Sequence, residues 1–134
     1  MEPEKGSSQL ACFQHAAYGA DQVLKVSGEL DVYTAPHFAA ALKRISNATR
    51  IIVDLRECRY LDASAMTVLV RARKAAAAPI RLVIHDGSML RRVLGITSVD
   101  RLFGIFSTVD AASRDITRSV SPRERPDRAN RAPR

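Results

Sequence analysis

The chain has no tryptophan, only 5% aromatic residues and only two cysteines among its 134 residues. Two thiols cannot by themselves make a disulfide scaffold or a metal cage. No run of about 18 apolar residues is present, so no membrane span is expected. Met1 to Leu10 is polar and acidic, without the apolar core of a signal peptide. A cytoplasmic protein follows, with Cys12 and Cys58 reduced and buried. The motifs of catalysis and cofactor binding are missing as well. There is no HExxH, CxxC, GxSxG, GxGxxG or GxxxxGK[ST]. His15, His37 and His85 are scattered, the first and last on or just after expected strands and His37 in the first turn of an expected helix. No enzyme, metal or cofactor is expected.

What is present is a globular composition: 46% apolar residues at a length that suits one domain. The net charge of +7 is uneven. Thr117 to Arg134 holds six Arg, two acids and three Pro, with one Val as its only large apolar residue. Such a segment cannot bury enough surface to offset the entropy of ordering, so residues 117–134 should form a disordered basic tail. Residues 1–7 should be a flexible start, and 8–116 the folded domain. The tail has no aromatic interleaved for base stacking, so nucleic acid is not the expected partner.

Within the folded part, Leu10–His15 and Val23–Ser27 read as a hairpin turning at Gly19–Asp21. Thr34 caps a helix with Pro36 in its first turn, and Phe38, Ala41, Leu42 and Ile45 fall on one face. Ser46 and Asn47 end it. Ile51-Ile52-Val53 is a β-branched run suited to a strand covered on both faces, leading into Asp54-Leu55. A short connection reaches Tyr60-Leu61-Asp62, and a helix follows from Ala63 to Ala78, stopped by Pro79. Its first half is apolar all round and should be buried or interfacial, its second half wet. Arg81–Ile84 is a further strand. Asp86-Gly87-Ser88 starts a helix whose apolar face is Met89, Val93 and Leu94, running to about Gly95. Phe103–Phe106 is a short edge strand, and Ser107 caps a last helix through Asp115, with Val109, Ala112 and Ile116 on one side. Gly28 and Gly87 read as turn glycines. The order β-β-α-β-α-β-α-β-α gives an α/β fold: a mixed sheet made of an initial hairpin and β-α-β crossovers.

Asp31, Asp54 and Asp62 all fall near strand ends, where an open sheet gathers groups on one rim. Ser64 lies two residues after Asp62, in a helix's first turn, where a hydroxyl faces outward beside free backbone N–H groups. A serine there is routine by itself. A phosphate on it would add roughly −1.5 to −2 charge, tolerated by the helix but adverse to a partner covering a rim already made acidic by Asp31 and Asp62.

Gly28-Glu29-Leu30-Asp31-Val32-Tyr33-Thr34-Ala35-Pro36 resembles the second-strand-to-first-helix signature of STAS domains of bacterial anti-sigma factor antagonists. Ile52-Val53-Asp54-Leu55 followed by Tyr60-Leu61-Asp62-Ala63-Ser64-Ala65-Met66 resembles the family's phosphorylation segment. Val93-Leu94-Gly95-Ile96 and Asp100-Arg101-Leu102-Phe103 resemble its C-terminal stretch. The resemblance covers about 20–116. It implies helices packed mainly on one side of a mixed sheet, no catalytic activity, and binding to an anti-sigma factor that is also an ATP-dependent serine kinase. Binding frees the sigma factor, phosphorylation ends it, and a serine phosphatase resets the cycle. By motif position the acceptor is Ser64, and the partner-binding rim comprises Asp31, Thr34, Asp62, Ser64, Ala65 and Met66. Met66 is either an adaptable rim contact or a core residue of its helix. The sequence departs from the family pattern at Ala63, usually Ser or Thr, and at Ala65, usually Gly. Ser64 is therefore the sole acceptor in the motif. Two other functions stay open: an unphosphorylated STAS scaffold in a signalling assembly, and nucleic-acid binding through the tail.

Overall fold

The computed structural model describes residues 11–115. Leu10, Ile116, the expected flexible start and the expected basic tail lie outside the described residues. The chain forms β1 (Ala11–Tyr18), β2 (Asp21–Leu30), α1 (Ala35–Arg44), β3 (Ile51–Leu61), α2 (Ala63–Ala75), β4 (Ile80–Val83), α3 (Met89–Ile96), a 3-10 turn (Val99–Leu102), β5 (Gly104–Phe106) and α4 (Val109–Arg114). The five strands lie side by side in chain order. β1 runs antiparallel to β2, and β2 to β5 are parallel neighbours.

The hairpin closes on a two-residue turn, with Tyr18 opposite Asp21 and Gly19 at φ 63°. The two faces of the sheet are covered unequally. Leu24, Val26, Ile51, Val53 and Leu82 point to one face, where Phe38 and Leu42 of α1, Ala65 and Leu69 of α2, and Leu90 and Leu94 of α3 bury them. On the other face Val23, Ile52 and Val83 meet only Ala112 of α4, with Phe106 and Val109 alongside. This two-sided cover is why Ile51-Ile52-Val53 is apolar without alternation.

Several expected boundaries move. β3 does not break after Leu55 but continues through Arg56–Arg59 into Leu61. Charged side chains are tolerated there because β4 pairs only with 51–54, leaving that edge of β3 open. β2 likewise runs on to Leu30, and Gly28 sits inside it at φ 95°, beside a register shift against β3. It is a bulge glycine, not a turn glycine. α2 ends at Ala75, where its C-cap Ala76 turns extended, three residues before Pro79, which itself bars Ala78 from the helix and leads into β4. Its burial divides by face, with Ala65 and Leu69 inward and Ala63 and Thr67 outward. The inward pair on α3 is Leu90 and Leu94, while Met89 is 66% exposed. Thr108, not Ser107, caps α4 by accepting from the Ala111 N–H.

Candidate functional site

The parallel strands β2 and β3 end together, and their ends make the rim. The Asp62 N–H donates to the Leu30 carbonyl at 3.1 Å, so both chains leave the sheet at one point. From β2 the chain enters a tight loop. Asp31 Oδ1 accepts from the N–H groups of Tyr33 (2.9 Å) and Thr34 (3.0 Å). Thr34 Oγ1 accepts from the Asp31 N–H and donates to the Glu29 carbonyl, each at 2.9 Å. Thr34 is thus a buried latch, fully screened from solvent, and makes no side-chain cap bond to α1. The latch leaves Val32 and Tyr33 (72% exposed) at the loop tip.

From β3 the chain passes through Asp62 into α2. Asp62 Oδ1 accepts from the N–H groups of Ser64 (2.9 Å) and Ala65 (3.2 Å), an N-cap carboxylate at the positive end of the helix. Ser64 follows half-buried, with its backbone N–H engaged by the cap. Ala65 is fully buried and packs into the core, so its methyl group adds nothing to the surface. Met66 is half-buried: it packs against the core and also accepts a long contact from Thr97 Oγ1 at 3.6 Å. It links the rim to the end of α3, where Ile96 is 76% exposed.

Four of the six expected rim residues, Asp31, Asp62, Ser64 and Met66, therefore keep solvent-facing surface, and two, Thr34 and Ala65, lie behind it. Asp31 and Asp62 form no ion pair among the described residues, so the rim carries two uncompensated carboxylates. The expectation that Asp54 joins them is wrong. It lies in the middle of β3, buried, gripped by Arg56 through Nε to Oδ1 and Nη2 to Oδ2, each at 2.9 Å. Burial acts to raise the Asp54 pKa, but the Arg56 hydrogen bonds and charge outweigh it and hold the carboxyl below its ordinary value. Sequence reasoning missed Val32, Tyr33 and Ile96. The available signal was an apolar pair, Val32-Tyr33, in a turn that belongs to neither the strand nor the helix period.

Elsewhere nothing gathers. Among the described residues no three His, Cys, Asp or Glu side chains could hold a metal ion. His15, on β1, is exposed and bonds Gln22, His85 is exposed, and His37 lies half-buried on α1. Cys58 is buried, and burial pushes its thiol up to about 11. Cys12 is only half-buried, because β1 is an edge strand. Ala11 pairs with Gly28, and Gly28 with Cys58, so β2 stands between the two cysteines. Two inter-strand spacings are roughly 9–10 Å, too far for a disulfide. No helix among the described residues is long and apolar enough to cross a membrane.

A family model for the STAS domain matches residues 15–112. The chain belongs to the STAS domain family. This STAS chain is 27% identical over 93 residues to the anti-sigma-F factor antagonist RsfB of Mycobacterium tuberculosis, covering 67% of this chain and 76% of that protein. It is 31% identical over 94 residues to a STAS-domain containing protein of Pseudomonas aeruginosa, covering 67% and 92%. Among solved structures, an anti-sigma factor antagonist from Mycobacterium paratuberculosis superposes with a TM-score of 0.69 at 21% identity, over 77% of this chain and 91% of that one. The Bacillus cell fate determinant SpoIIAA in its phosphorylated form gives 0.53 at 18% identity, over 77% and 98%. These structures share the STAS fold: the hairpin, the parallel strands and helices mainly on one face. The family model and these relatives describe a STAS domain and anti-sigma factor antagonists, and they indicate no enzyme family.

Proposed function

We propose that this STAS domain is an anti-sigma factor antagonist acting in the cytoplasm. In its unphosphorylated state it binds an anti-sigma factor through the rim and so frees a sigma factor. The partner is also an ATP-dependent serine kinase, which phosphorylates Ser64 and thereby ends the complex, and a serine phosphatase restores it. The names of the mycobacterial relatives support the antagonist role, and the neighbour solved in a phosphorylated form supports the switch.

One observation carries the reading: Ser64 is a partly exposed residue in the first turn of α2, on a rim holding two carboxylates without ion-pair partners among the described residues. A phosphate there adds roughly −1.5 to −2 charge. Asp62 already holds the Ser64 and Ala65 N–H groups, so it is the positive end of the α2 dipole that offsets part of this charge within the fold. A partner covering Asp31 and Asp62 offers no such offset, because like charges set against an interface cost several kcal/mol. Thr34 and Ala65 act from behind, the first by fixing the Asp31 loop and the second by seating α2.

The test is capture of the purified cognate anti-sigma factor by the chain and its variants. Ser64→Ala retains binding and accepts no phosphate, while Ser64→Glu loses binding with its thermal midpoint nearly unchanged. Retention by Ser64→Glu equal to that of the unaltered chain contradicts the switch.

A further inference from the structure

Helices α1 and α2 lie together on one face of the sheet, and between them runs a groove of about 500 Å3. Ala39 and Leu42 of α1 and Val68 and Ala72 of α2 give it an apolar lining, to which Lys43 of α1 and Arg71 of α2 also belong. The lining runs from Ala39 to Lys43 on α1, takes in Ser46 just past its end, and runs from Val68 to Ala75 on α2. The α2 span is two helical turns, about 10 Å long.

Charge sets this groove apart. Neither helix carries a carboxylate. Lys43, Arg44, Arg71, Arg73 and Lys74 form no ion pair among the described residues, where every ion pair lies on other elements. The cations in the last turns of both helices also suit the helix dipoles. Arg71 precedes the last turn of α2 and nevertheless lines the groove.

We propose that this groove docks an acidic amphipathic helix of a protein partner. The partner's apolar stripe, at i, i+3, i+4 and i+7, covers the alanines, Leu42 and Val68, and its flanking carboxylates pair with Lys43 and Arg71. Two turns of groove match two turns of such a stripe. The Arg-rich segment 117–134 of this chain has the wrong sign for the site. A nucleic acid meets the cations but leaves the apolar lining uncovered. The groove starts one turn along α2 from Ser64 and is basic where the rim is acidic, so α2 serves two partner surfaces of opposite charge.

The test titrates the full chain into a fluorescently labelled peptide of about four helical turns, with Leu at i, i+3, i+4 and i+7 and Glu elsewhere, and follows anisotropy. Saturable binding that weakens with salt is expected. The Lys43→Glu, Arg71→Glu double variant weakens it roughly tenfold. Ala39→Trp fills the groove from an exposed position and removes it, and Ala39→Ser, with little added volume, retains it. Melting curves establish that each variant is folded. The proposal is overturned by absent saturation, by equal binding of a peptide with Lys in place of Glu, or by undiminished binding to Ala39→Trp. It is also overturned if the chain ignores the peptide but pellets with anionic phospholipid vesicles in a manner that Arg71→Glu abolishes.

Discussion

Replacing Asp62 separates the two jobs this residue performs at the mouth of α2. Its Oδ1 accepts two backbone N–H groups, from Ser64 at 2.9 Å and Ala65 at 3.2 Å, while its charge faces the helix dipole. Asp62→Ala removes both. Loss of a cap costs about 0.5–2 kcal/mol, and loss of the charge about 0.3–1 kcal/mol. Ala65 is fully buried, so water cannot readily replace the acceptor at its N–H, which places the cap at the upper end of its range. The total is about 2.5 kcal/mol. Asp62→Asn keeps an acceptor oxygen and forfeits only the charge, about 0.5 kcal/mol. For a domain of this size 1 kcal/mol shifts the midpoint by about 4 °C. Asp62→Ala should therefore lower it by about 10 °C and Asp62→Asn by about 2 °C, followed by circular dichroism with urea titrations as a check. Equal losses for the two variants would mean that charge, not capping, holds the helix start, and the derivation of the rim from the cap would fail.

Further outcomes follow from the other polar contacts. Arg56→Met leaves the Asp54 carboxylate buried without its partner and should cost about 2–3 kcal/mol in urea unfolding, less than a fully buried pair because Arg56 is partly solvated. The Asp54 pKa is held below its ordinary value, so its contribution to stability is complete above about pH 4 and fades as pH falls through the depressed folded value. In Arg56→Met the acid limb of the stability curve should move to higher pH. Thr34→Val strips the latch hydroxyl and should cost about 2 kcal/mol, with faster amide exchange at Tyr33 and Thr34, while Thr34→Ser retains the bonds and most of the stability. Diamide should produce no intramolecular disulfide, and iodoacetamide at neutral pH should label Cys12 well before Cys58, as read by peptide mass.

The order of elements was legible because its signals are local. The hairpin turn, the Phe38-Ala41-Leu42-Ile45 stripe, the run Ile51-Ile52-Val53 and the Asp62 cap each depend on neighbours within a few residues. Boundaries were less legible where a distant element decides them. β3 continues through Arg56–Arg59 only because β2 stays beside it and β4 stops short. Of the face read as Met89, Val93 and Leu94, Leu94 is buried as expected, but its inward partner is Leu90 and Met89 points out. At the rim, chain position indicated which residues come together but not which way they face. Thr34 reads as an N-cap by type and position, yet its hydroxyl turns back to the Glu29 carbonyl. Ala65 reads as surface beside Ser64, yet one further step around the helix carries it into the core. Asp54 reads as a strand-end acid until the strand proves six residues longer than Leu55.

The most direct measurement compares the affinity of one purified anti-sigma factor for the chain before and after stoichiometric phosphorylation, with peptide mass spectra locating the phosphate. The account predicts a single phosphate, on Ser64, a dissociation constant raised by at least about a hundredfold, and an unaltered melting midpoint. A phosphate on another residue, or unchanged affinity with Ser64 fully modified, would contradict it.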